Sequence, residues 1–116
     1  MAQHRFDLEE RTSEFAKSVI NLCKKLPHNT INWELIAQLI RASGSVGANY
    51  CEANDALSKK DFSHRIKITR KEAKESYYWL DLLLEANPEY QTEINDLMRE
   101  SVELKKIISA IVVKSC

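Results

Sequence analysis

The sequence predicts an all-α chain folded as an antiparallel, up-down-up-down four-helix bundle. Three observations carry that expectation. Only two glycines and two prolines occur in 116 residues, which leaves room for long uninterrupted helices. Apolar residues recur at steps of three and four along four separate segments, the spacing that lines one side of an α-helix. The connections between those segments are short, and short connections make consecutive helices antiparallel neighbours. No segment alternates with a period of two, and the chain has no repeat or low-complexity tract, so residues 1–116 read as a single domain.

The first helix is expected from about Asp7 to Leu26, with Leu8, Thr12, Phe15, Val19, Leu22 and Leu26 as its inward stripe. Pro27 stops it, because proline cannot supply the N–H that a continuing helix needs. His28-Asn29-Thr30 then reads as a turn. Asn32 is the expected N-cap of the second helix, with Glu34 in the first turn where the helix dipole favours an acid. That helix ends near Asn54. Ser58 and Asp61 make a Ser-x-x-Asp start signal for the third helix. Its inward stripe is Phe62, Ile66, Thr69, Ala73, Tyr77, Leu80 and Leu84. Asn87 followed by Pro88 reads as a cap with proline at the first helical position, ending helix three and opening helix four. Ile94, Leu97, Ser101, Leu104, Ile108 and Ile111 complete the fourth stripe. Helices of about twenty residues are roughly 30 Å long.

The stretch Arg41–Glu52 organises the rest. It holds both glycines, Gly44 and Gly47, among Ala42, Ser43, Ser45 and Ala48, yet helical spacing of apolar residues runs straight through it. Each glycine costs a helix about 1 kcal/mol relative to alanine. The expected offset is close approach of a neighbouring helix. Ser45, Asn49 and Glu52 share one face and are expected to be buried or half-buried. Folding helix two on helix three about residues 56–57 places Arg41 near Glu72, Ser45 near Ile68 and Thr69, and Asn49 near His64 and Arg65. Glu52, at a helix C-terminus that disfavours an acid, calls for Arg65 or Lys60. Arg41, Ser45, Asn49, Glu52, Arg65 and Glu72 are therefore expected to form an internal polar network that sets the helix register.

The run Gln38-Leu39-Ile40-Arg41-Ala42-Ser43-Gly44-Ser45-Val46-Gly47-Ala48-Asn49, followed by Glu52, resembles the signature of a bacterial four-helix-bundle protein family. That family is known from open reading frames in intervening sequences of large-subunit (23S) ribosomal RNA genes. Phe62, the run Ile68–Glu75 and Tyr78-Trp79-Leu80 extend the resemblance over most of the chain. Two departures stand out: Tyr50 is bulkier than the usual residue after the Asn, and Ile68-Thr69-Arg70 replaces the usual Ile-Ala-Leu. The resemblance implies an antiparallel bundle assembled as a ring, commonly a pentamer, with no assigned enzyme activity. A more distant similarity is to accessory proteins of diversity-generating retroelements, which implies contact with nucleic acid and a reverse transcriptase.

Bulk properties narrow the function classes. Seventeen basic and seventeen acidic residues cancel, so no overall field recruits nucleic acid or a membrane surface. The N-terminus lacks a signal-peptide core, and the longest apolar run, Ile107–Val113, is too short to span a bilayer. Cys23, Cys51 and Cys116 are scattered without metal spacing, which fits a reducing cytoplasm. Catalytic chemistry is not visible. Glu72 and Glu75 sit one turn apart, but no Glu-x-x-His exists, and His4, His28 and His64 fall in unrelated places, so no metal is expected. Cys51 lacks a glycine elbow and a base, and reads as a buried structural thiol. No cofactor, small-molecule substrate or catalytic residue is expected.

Charge is nonetheless polarised along the chain. Lys59, Lys60, Arg65, Lys67, Arg70, Lys71 and Lys74 stand against only Asp61 and Glu72 in the first half of helix three. Within them Lys60, His64, Lys67, Lys71 and Lys74 form a stripe about 20 Å long, able to track phosphates unless Glu100 and Glu103 neutralise Lys71 and Lys74. The stripe has no interleaved aromatic of the kind single-strand binders use. Tyr77, Tyr78 and Trp79, with the apolar end of helix four, exceed what one buried stripe needs, and are the expected contact between subunits. The reading is a cytoplasmic, non-enzymatic homo-oligomeric bundle, an interaction module with RNA or DNA as leading partner. The alternative is a structural assembly or protein-partner adaptor that binds no nucleic acid.

Overall fold

Five helical elements follow one another in the computed structural model, which describes the backbone of residues 2–115 and the side chains of residues 8–114. They are α1 (Ala2–Lys25), α2 (Thr30–Asn54), α3 (Lys59–Ala86), a single 3-10 turn (Pro88–Tyr90) and α4 (Gln91–Ser115). Expectations placed on His4 and Cys116 lie outside the described side chains. Each helix touches its neighbours in sequence, and α1 also packs on α4, so the bundle has four sides. Partner numbers run in opposite directions across each described contact: Arg41 meets Glu72 while Asn49 meets Arg65, and Arg11 meets Glu100 while Lys25 meets Glu93. The helices are antiparallel. The bundle measures 44 × 23 × 19 Å, close to the length of a 25-residue helix plus its turns.

The inward stripes meet in one core. All six residues of the first predicted stripe are buried, Leu26 lying one residue past the end of α1, as are Ile94, Leu97, Ser101, Leu104 and Ile108 of α4. Ile111 is only half-buried because Val112 takes the inward place at that last turn. In α3, Ile66, Thr69, Ala73 and Leu80 are buried, with Phe62 and Leu84 half-buried. Tyr77 departs from its predicted place and is 42% exposed. Glu72, Ser76 and Leu83 are buried instead, so the inward face is turned toward α2 relative to the predicted stripe.

Helix starts show which local signals hold and where a competing use of the same side chain wins. Ser58 caps α3 as predicted, its Oγ accepting from the Asp61 N–H at 3.0 Å. At α2 the cap is Asn29, not Asn32: Asn29 has extended backbone, and its Oδ1 accepts from the Asn32 N–H at 2.8 Å. Asn32 is buried and otherwise engaged. Its Nδ2 donates to Pro27 O and to Asn87 Oδ1, both at 2.9 Å, while Asn87 Nδ2 donates to Asn32 Oδ1 at 2.9 Å and to Leu83 O at 3.0 Å. Every amide N–H of the pair has an acceptor, which is what makes such burial affordable. The pair ties the α1–α2 turn to the α3–α4 turn. For the same reason Asn87 does not cap α4, and the 3-10 turn intervenes. Helix α1 starts well before Asp7, since nothing in Ala2–Phe6 breaks a helix.

The two glycines have different surroundings. A Cβ on Gly47 would lie 3.0 Å from Thr12 Oγ1, and that hydroxyl is fixed by its bonds to Leu8 O (2.7 Å) and Glu9 O (3.1 Å). Close approach is real there, and the helix admitted is α1. Gly44 is exposed, and a Cβ there would meet nothing within 4 Å. Packing within the chain does not offset its cost to the helix.

Candidate nucleic-acid interface

Two polar faces of α3 have to be distinguished, one toward α2 and one toward solvent. On the inner face Arg41 reaches Glu72 at 3.3 Å and Glu75 at 2.8 Å, and Glu72 is only 7% exposed. Two helical turns nearer the hairpin loop, Arg65 donates to Asn49 Oδ1 at 3.2 Å, and Asn49 Nδ2 donates to Ser45 O at 2.9 Å. The predicted network therefore exists as two separate clusters. Arg41 and Glu72 form one, and Ser45, Asn49 and Arg65 the other, with Ser45, Asn49 and Arg65 half-buried. Glu52 belongs to neither. It is exposed and forms no ion pair among the described residues, because Arg65 turns to Asn49 instead.

On the outer face Lys60, His64, Lys67, Lys71 and Lys74 are all exposed, as their spacing requires. Lys59, Lys60, Ser63, His64 and Lys67 line a shallow depression at the start of the helix. The neutralisation considered from sequence does not occur. Glu100 is held by Arg11 through a two-pronged contact at 2.7 and 2.9 Å, and Glu103 faces Lys106 at 3.6 Å on its own helix. The Glu100 carboxylate in turn raises the Arg11 pKa, chiefly by hydrogen bonding. Lys60, Lys67 and Lys74 form no ion pair among the described residues, and Lys71 lies 3.9 Å from a Glu75 already bonded to Arg41. Tyr78, four residues beyond Lys74, continues the stripe and is 55% exposed. The step of four from Lys74 puts this aromatic in line with the stripe rather than at the expected subunit contact.

The predicted contact residues separate in the structure. Tyr77 lines a groove between α3 and α4, Tyr78 sits on the outer face, and Trp79 is half-buried against the core. Tyr78 and Trp79 meet edge to face with centroids 5.1 Å apart. The Trp79 indole N–H is buried with no acceptor among the described residues. At the end of α4, Ile108 and Val112 are buried and Ile107 and Ile111 half-buried, so much of that apolar excess is used inside the bundle.

Neither described thiol is activated. Burial pushes Cys23 up to about 11. Cys51 is exposed on α2 rather than buried as expected, because position 51 falls on the outer side of the helix. Its pKa is also raised, by partial desolvation and then by Glu9, Asp55 and Glu52. Among the described residues no three His, Cys, Asp or Glu side chains come together as a metal site, and Glu72 and Glu75 are both bonded to Arg41. No described helix is long and apolar enough to cross a membrane.

An all-α bundle whose helix-two signature faces an ion-paired helix three defines the class. Residues 5–110 match the family model described as 23S rRNA-intervening sequence protein, and the chain belongs to that family. Among solved structures it is similar to a protein of unknown function from the S23 ribosomal protein family of Bacteroides thetaiotaomicron. The two are 29% identical with a TM-score of 0.80, over 90% of this chain and 97% of that one. No curated protein matches the chain.

Proposed function

We propose that this protein is a non-enzymatic, homo-oligomeric interaction module of the cytoplasm that binds RNA or another nucleic acid through the outer face of α3. The observation that supports this reading is the exposed stripe Lys60, His64, Lys67, Lys71 and Lys74, whose lysines α4 leaves un-neutralised. Phosphates are recognised by such point charges without sequence preference, and each contact releases counterions, so affinity falls steeply with salt. Tyr78 adds a ring on which a base can stack. Repetition of the stripe around a closed ring, the pentamer that the family resemblance implies, multiplies a weak field.

The test is retention of a mixed-sequence RNA as salt rises, for the wild type and for Lys67→Glu/Lys71→Glu. Wild type should bind at low salt and release sharply, while the double variant should not bind and should keep the same fold and mass. Equal retention of both proteins, or of neither, favours the adaptor reading.

A further inference from the structure

Helix α2 presents a face that nothing among the described residues covers. Trp33, Ala37, Ile40, Gly44, Ala48 and Cys51 follow one another at steps of four, three, four, four and three, and all are exposed. Not one of them carries a charge. Trp33 is 71% exposed and Ile40 43%, an uncommon outlay of apolar surface for the outer side of one helix. Gly44 sits in the middle with open space above it, so its cost to the helix has no return within the monomer. The face lies on the α1 side of α2, since α2 turns Arg41 and Asn49 toward α3 and Gly47 toward α1.

A second unpartnered apolar surface lies on the opposite side of the bundle. Between α3 and α4 runs a groove floored by Ala73, Tyr77 and Val102 and edged by Lys74 and Lys105. Neither lysine has an ion-pair partner among the described residues. Flanking the α2 face are Glu34 and Glu52, exposed and likewise without ion pairs among them. One surface is thus apolar with free acids at its edge, and the other is apolar with free bases at its edge.

We infer that the α2 face of one copy docks in the α3–α4 groove of the next copy, with an acid at its edge, Glu34 or Glu52, meeting Lys74 or Lys105. The occupant is a second copy of this chain because the complementary partner surface is already present on the molecule. Two different surfaces on opposite sides make the contact heterologous, and a heterologous contact repeats from copy to copy, closing a ring where its rotation closes and extending as a filament where it does not. Gly44 then provides the close approach that the monomer does not use. This rests on the assembly half of the function proposed above. It moves the contact away from Tyr78 and Trp79, leaving the lysine stripe of α3 outside it except for Lys74.

The experiment uses two variants that cannot fail merely by losing helix. Gly44→Glu replaces a poor helix former, and Val102→Glu replaces a β-branched residue at an exposed helix position. Light scattering should show the wild type at several times 13.4 kDa and each variant alone as a monomer. Mixing the two should restore one dimer and no larger species, because each supplies the surface the other lacks. Either variant assembling like wild type, or a mixture that stays monomeric, overturns the docking while the assembly itself stands. A monomeric wild type overturns both.

Discussion

The two polar faces of α3 share a helix and differ in what satisfies them. Toward α2, Glu72 and Arg65 each have a partner on the facing helix, and Glu72 is nearly inaccessible. Toward solvent, the lysines of the stripe are left with water or a distant carboxylate. A buried polar group left unpaired costs about 1–3 kcal/mol, so the inner face must pair within the chain and its residues serve the fold. An exposed charge costs almost nothing to leave free. The outer face is therefore where a partner can be met without dismantling anything, and four experiments test the contrast between buried and exposed groups.

The largest effect is expected at the buried amide pair, the extreme case of the inner kind. Asn87→Leu removes the partner of Asn32 and should cost about 1–3 kcal/mol in urea unfolding. Changing Asn32 to Leu as well should recover part of that loss, because two apolar groups leave nothing unsatisfied. A double variant worse than the sum of the singles would show that volume, not pairing, matters at that turn.

Arg41→Ala comes next. It strands Glu72 at the α2–α3 contact, where the arginine itself is half exposed. The expected loss is about 1 kcal/mol, at the upper end of what exposed pairs are worth. A loss indistinguishable from zero would place Glu72 among the solvated acids.

The thiols offer the same contrast at alkaline pH. Cys23 is raised by burial to about 11 from an ordinary 9.0. A thiol that ionises more readily unfolded than folded stabilises the fold below the ordinary value, and that contribution is lost as pH rises toward the folded one. Wild-type stability should therefore fall more steeply between these pH values than that of Cys23→Ala. Parallel pH profiles for the two proteins would exclude Cys23 as the cause.

Smallest of all is the effect of Lys67→Glu/Lys71→Glu on folding. A change within about 0.5 kcal/mol is expected by urea unfolding, although nucleic-acid retention should be lost. A larger destabilisation would mean that the outer face also contributes to the fold.

The helices themselves were legible because their cause is local. Apolar residues at steps of three and four demand burial on one side, and Pro27, Ser58 and Pro88 punctuate the chain whatever surrounds them. The Arg41–Glu72 and Asn49–Arg65 contacts were legible for a related reason: a short hairpin connection leaves the register little freedom. What tertiary structure alone decided was competition between alternatives of similar local quality. Asn29 and Asn32 are equally good caps, and Asn32 went elsewhere because Asn87 stood across the turn. Arg65 chose Asn49 over Glu52, and Arg11 reached Glu100 before any lysine of α3 could. The same holds for the glycines, identical in sequence terms, one pressed on Thr12 and the other facing open space. Periodicity says which side of a helix points inward, but only the placed neighbours say which of several donors, acceptors or empty spaces each remaining group will find.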